Sequence, residues 1–99
     1  NNDGERKGLS SVSAGAITEA PLSITFASRK IVVVHDIVLL DGKMPHADIL
    51  IYGHSHKPSV ERKGSLLSVN PGECGGWLSG KSTVAVVNTV DLSAEVVGL

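Results

Sequence analysis

The chain has 99 residues, enough for one domain with a modest core, and carries a formal net charge of −1 with hydrophobic residues at 41% of positions. That charge leaves no electrostatic footprint for nucleic acid or an anionic membrane, and no apolar run approaches the roughly 20 residues a bilayer span needs. With one Phe, one Tyr and one Trp the core falls to Val, Leu and Ile, and with 11 glycines this favours strands and turns over a helical bundle. No basic segment followed by an apolar one opens the chain, so no signal peptide is expected. The single Cys74 can form no internal disulfide, which suits a reducing, cytoplasmic setting.

Residues 1–20 are small and polar, without a convincing hydrophobic period, and read as loop with one short helical turn near 14–19. Residues 21–26 alternate, with Leu22, Ile24 and Phe26 on one face, and Ala27-Ser28-Arg29 turns the chain into the next strand. That strand, 30–36, is the strongest in the chain. Ile31, Val32, Val33 and Val34 in a row imply cover on both faces, as in the middle of a layered α/β sheet. His35 stands at its C-terminal end, the edge where open α/β sheets bind ligands. Residues 37–45 form a short connection broken by Asp41-Gly42. The twelve residues from Asp36 to Ala47 are few for a crossover between parallel strands, which usually takes a helix.

Asp48-Ile49-Leu50-Ile51-Tyr52 reads as a buried strand that Gly53 breaks, with His54 and His56 following at i and i+2 around Ser55, ahead of Pro58. In an extended chain such positions point the same way, so both imidazoles can converge on one ion from the rigid end of a strand. Two nearby histidines also arise by chance, and His35 alone is more simply a hydrogen-bonded core residue. Three histidines at the ends of two neighbouring buried strands are hard to explain as packing. His46, on a surface turn ahead of Asp48, is assigned no chemistry. Residues 60–62 and 66–69 flank the hairpin signal Lys63-Gly64. The loop that follows, from Asn70 to Trp77, is too rich in Gly and Pro for regular structure. Cys74 within it reads as a buried or half-buried thiol and not a nucleophile, since no base stands beside it in sequence. Residues 83–89 and 94–99 form a last hairpin, turned at Asp91-Leu92-Ser93.

Gly53-His54-Ser55-His56-Lys57-Pro58, behind a strand that starts with Asp, closely resembles the last metal-binding motif of the calcineurin-like metallophosphoesterases, in particular the small prokaryotic phosphodiesterases. Asn70-Pro71-Gly72-Glu73-Cys74-Gly75-Gly76-Trp77-Leu78-Ser79-Gly80-Lys81 resembles the loop that closes over their site. The resemblance implies an α/β, strand-rich fold: the C-terminal part of a four-layer α-β-β-α sandwich. Residues 1–99 would then be a single domain that is the C-terminal portion of a longer one. It further implies a phosphodiesterase acting on a phosphate ester through two divalent ions (Mn, Ni, Fe or Zn). Such ions, about 3.5–4 Å apart, activate water and clamp the ester.

Carried over residue by residue, His35, His54 and His56 are metal ligands. Asn1 matches the Asn of a Gly-Asn-x-Asp motif, with Asp3 as the closing acid, although residues 1–3 also read simply as a frayed terminus. The family's Asp-x-His and bridging Asp find no counterpart, because Asp3, Asp36, Asp41, Asp48 and Asp91 stand in other contexts. Asp36 replaces the Gly that usually follows the histidine matching His35, placing a charged side chain where backbone should approach closely. Asn2 stands where many members carry a His, which leaves the proton donor to the leaving group unassigned. These gaps imply that the chain by itself is inactive. They keep two further readings open: a non-catalytic scaffold of the same fold, and a mononuclear metal module of three histidines. An uncovered sheet edge would also invite homo-oligomerisation.

Overall fold

Three short apolar runs form the parallel centre of one sheet, and their common direction is what places the site. The computed structural model describes residues 5–43 and 46–99. The elements are α1 (Arg6–Val12), β1 (Leu22–Phe26), β2 (Arg29–Val33), a 3-10 turn at Ile37–Leu40, β3 (Ile49–Ile51), β4 (Ser59–Lys63), β5 (Leu66–Asn70), β6 (Thr83–Asn88) and β7 (Ser93–Gly98). Five strands make a sheet in the order β1-β2-β3-β5-β4, and β6 and β7 pair separately. β2, β3 and β5 are parallel neighbours, with Ile31 beside Ile49 and Ile49 beside Leu67. β1 and β4 return antiparallel on the two outer edges.

Both faces of the parallel centre are apolar, as the unbroken Ile31–Val34 run predicts. One face gathers Ile31, Ile49, Leu67 and Val69, and on it sit Ala85, Val87, Leu92 and Ala94 of the β6–β7 hairpin. The other gathers Val32, Val34, Leu50 and Leu66, covered by Leu40 of the 3-10 turn together with Ala47 and Tyr52. Two sheets stacked face to face are the middle layers expected of the sandwich. Arg29 ties the two sheets at their margin, donating from Nε to the Thr89 carbonyl at 2.8 Å and from Nη2 to that of Val90 at 2.9 Å. At the start of the parallel strands Asp48 acts as a clamp: its Oδ2 accepts the Lys30 amide at 2.8 Å and its carbonyl accepts the Leu67 amide at 2.9 Å.

One element departs from expectation. The helix is Arg6–Val12, while the stretch near 14–19 is where it stops, with Ala14 (φ 53°) and Gly15 (φ 81°) left-handed. That helix buries no residue and Glu5 offers it no side-chain cap, so it carries no hydrophobic period to read. No helix among the described residues is long and apolar enough to cross a membrane.

Ile49 is fully buried where the two parallel seams meet, whereas Ile24 on edge strand β1 is 42% exposed. Ile49→Val is expected to lower unfolding free energy by about 1 kcal/mol, and Ile24→Val by less than about 0.5 kcal/mol. Urea denaturation of the two variants checks this, and equal losses would contradict the placement of the core.

Candidate metal centre

β2, β3 and β5 end at one edge, and each delivers a polar group there. Past β2, the Val34 amide still donates to the Ile51 carbonyl at 2.9 Å, so His35 leaves the sheet beside the end of β3. Past β3, the Gly53 amide donates to the His35 carbonyl at 2.9 Å. These backbone bonds bring the rings together. His35 Nε2 and His54 Nδ1 stand 3.2 Å apart, with the rings edge to face.

The pair does not arise from an extended chain as expected. His54 (φ 71°) and His56 (φ 62°) are both left-handed, an arrangement costing about 1–2 kcal/mol per residue for an L side chain. Asn70 offsets that cost. This side chain is 1% exposed at the end of β5. Its Nδ2 donates to the Gly53 carbonyl at 3.3 Å and to Ser55 Oγ at 3.1 Å, and its Oδ1 accepts the Gly72 amide at 3.0 Å. Strained backbone held by a buried amide is characteristic of positions under functional constraint.

With that backbone the two rings part. His54 meets His35, while His56 turns to Glu73, its Nδ1 lying 3.5 Å from Glu73 Oε2. Asp36 does not crowd the site. Its Oδ1 caps the 3-10 turn by accepting the Val38 amide at 3.0 Å, and its Oδ2 lies 3.5 Å from His54 Nε2, the ring nitrogen not facing His35. Glu73 and Asn70 are the contributors that motif reading passed over. Cys74 is exposed, not half-buried, because the loop turns it outward beside Gly75 and Gly76. His46 lines a shallow cavity of about 320 Å³ with Lys30, Asp48 and Leu66, residues at the opposite ends of the same strands. Asn1, Asn2 and Asp3 lie outside the described residues.

The donors present fit part of a metal site. Two imidazole nitrogens bound to one ion at about 2.0–2.1 Å lie roughly 3 Å from each other, and the His35–His54 separation of 3.2 Å agrees. Among the described residues, however, no three of His, Cys, Asp and Glu are grouped closely enough to hold an ion by themselves. The two carboxylates at this edge, Asp36 and Glu73, each face an imidazole at 3.5 Å and do not join the histidines in a ligand cluster, whereas two dications call for carboxylate ligands.

A family model described as the calcineurin-like phosphoesterase superfamily domain matches residues 1–92. A curated phosphodiesterase of Methanocaldococcus jannaschii is 31% identical over 97 residues, covering 90% of this chain and 58% of its own length. The chain thus spans about three fifths of that relative. A solved archaeal phosphodiesterase superposes on all of the chain and 65% of its own, with TM-score 0.78 and 28% identity. Vps29 of Entamoeba histolytica, solved in complex with zinc, covers 79% of the chain and 58% of its own at 22% identity and TM-score 0.53, a likeness of fold.

Burial works to raise the Glu73 pKa, but hydrogen bonds from the Ser79 and Leu78 amides and the Ser79 side chain, with the His56 ring close by, outweigh it and lower the value from 4.5 to about 2. A depressed carboxylate pKa adds stability that is fully present above pH 4.5 and is lost as pH falls toward 2. Wild type is therefore expected to be more stable than Glu73→Gln at pH 6, with the gap narrowing through pH 4 to pH 3. Thermal melts of both proteins across that range check the sign, and a constant gap would mean Glu73 contributes by packing instead of charge.

Proposed function

The chain belongs to the calcineurin-like phosphoesterase superfamily, and on that premise we propose that it carries the histidine-bearing part of a metal-dependent phosphodiesterase. The observation that carries the reading is the 3.2 Å approach of His35 and His54 at the C-terminal edge of two parallel strands. The proposed ligands are His35, His54, His56 and Asn1. Two divalent ions, of Mn, Ni, Fe or Zn, would supply the charge that makes water a nucleophile and relieves the phosphoryl oxygens. The chain's own residues hold the donors in place. Asn70 fixes the backbone on either side of His54, and Asp36 stands against that ring's second nitrogen, the arrangement by which outer groups orient a metal-binding histidine.

The proposed substrate is a phosphate ester, and the proposed setting is the cytoplasm, which suits a lone and exposed Cys74. Activity is proposed for the gene-length protein and not for this chain alone, whose donors are chiefly neutral. The row Leu22, Ile24 and Phe26 on edge strand β1 is exposed, and self-association along it belongs to the same proposal. A second reading, a non-catalytic scaffold of this fold, draws on the aspartate at position 36 and on the want of a third donor beside His35 and His54 among the described residues.

Hydrolysis of bis-p-nitrophenyl phosphate with added Mn²⁺ or Ni²⁺ separates these readings. Turnover is expected from the gene-length protein, abolished by His54→Ala, and none from the 99-residue chain. Metal-dependent turnover by the short chain would overturn the requirement for further carboxylates, and none by either protein would favour the scaffold. Calorimetric titration of the chain with Zn²⁺ or Ni²⁺ should show affinity lowered by more than about 100-fold in His54→Ala, beyond the loss typical of outer-shell partners. His46→Ala, altered at the far end of the sheet, should bind as wild type does.

A further inference from the structure

Glu73 sits in the breaker-rich loop after β5, yet it is the most firmly held acid among the described residues. Its carboxylate accepts the Leu78 amide at 2.6 Å on Oε1 and the Ser79 amide at 2.8 Å on Oε2, and the side chain is only 9% exposed. The loop around it is pinned in turn: the Thr83 amide donates to the Glu73 carbonyl at 3.1 Å and Thr83 Oγ1 to the Pro71 carbonyl at 2.8 Å. Gly72, at φ 81°, has no room for a side chain between Thr83 and Pro58. The carboxylate is therefore a fixed anion with little freedom to follow a moving partner.

The partner is His56. Its Nδ1 is buried and has no hydrogen-bond partner, and it faces Glu73 Oε2 at 3.5 Å. The ring as a whole is 42% exposed, so its exposure falls on the remaining atoms, Nε2 among them. A buried ring nitrogen aimed at a carboxylate oxygen is stable as N–H and costly as a lone pair, because two acceptors would oppose each other in a poorly solvated space.

We propose that Glu73 is a positioning residue that holds His56 in the tautomer protonated on Nδ1, presenting an unprotonated Nε2 as the donor atom of the metal-binding edge. This deepens the metal reading of His56 and rests on it. Carboxylate, histidine and ion in line raise ligand basicity and fix ring orientation. Here the carboxylate also clamps the Leu78 and Ser79 amides, so the ligand's orientation and the loop bearing the exposed Trp77 are set by one group.

Nitrogen-15 correlation spectra of the histidine rings at pH 8, in the metal-free chain, test this without relying on activity. Wild type is expected to show His56 protonated on Nδ1. Glu73→Gln should move the population toward Nε2–H, because a carboxamide NH₂ turned to Nδ1 favours its lone pair, and should weaken Zn²⁺ binding by about 10–100-fold. A wild-type His56 protonated on Nε2, or a tautomer unmoved by Glu73→Gln, would overturn the proposal, and the wild-type measurement decides even if the variant fails to fold. Should wild type show the expected tautomer and the expected shift in the variant yet bind no Zn²⁺, the Glu73 contact stands and the metal reading falls.

Discussion

Two parallel seams, β2 to β3 and β3 to β5, share one register, and the geometry of the histidine edge depends on it. A slip of one residue in either seam would send every core side chain to the opposite face. Apolar clusters on both faces oppose that slip, and Asp48 bonds across both seams at the strand starts. With register fixed, the strand ends are fixed, and His35, Gly53 and Asn70 emerge side by side. The chemistry of the edge is thus set by packing several residues away from it.

At that edge each imidazole of the His54-Ser55-His56 segment is backed by a different carboxylate, Asp36 in one case and Glu73 in the other, both at 3.5 Å. The two acids differ in character. Asp36 belongs to the connection after β2 and doubles as the cap of a 3-10 turn, so its orientation follows that turn. Glu73 is held by two backbone amides and is ionised far into acid. The Asp36 side chain turns to the cap and to the second nitrogen of His54, clear of the His35–His54 contact.

The strands expected at 30–36 and 48–52, found as Arg29–Val33 and Ile49–Ile51, were legible because β-branched runs bounded by breakers leave few alternatives, and the hairpins followed from Lys63-Gly64 and the turn ahead of Ser93. The proximity of His35 and His54 was legible from strand-end placement. What lay hidden were features that residue identity does not encode. Left-handed backbone at His54 and His56 is announced by no glycine, and it overrides the simple rule that i and i+2 face alike. Glu73 finds its amides five and six residues later, across two glycines, a spacing that belongs to no regular element. Its only sequence signal is a lone acid inside a loop rich in Gly and Pro. Cys74 reads as at least half-buried and is exposed, on a loop that turns the adjacent Glu73 side chain inward instead. The helix at Arg6–Val12 escaped notice because it packs no residue into a core.

The donor edge also has a place in the order of folding. His35 and His54 are 19 residues apart in the chain, Asn70 and Gly53 are 17 apart, and Arg29 reaches Thr89 across 60. Non-local pairings must absorb loop-closure entropy before they return contact energy, and parallel ones form slowly. The 3.2 Å nitrogen pair therefore depends on closure of the β2–β3 seam. An ion that bound the closed pair would draw the folding equilibrium forward by mass action as its free concentration rose above its dissociation constant.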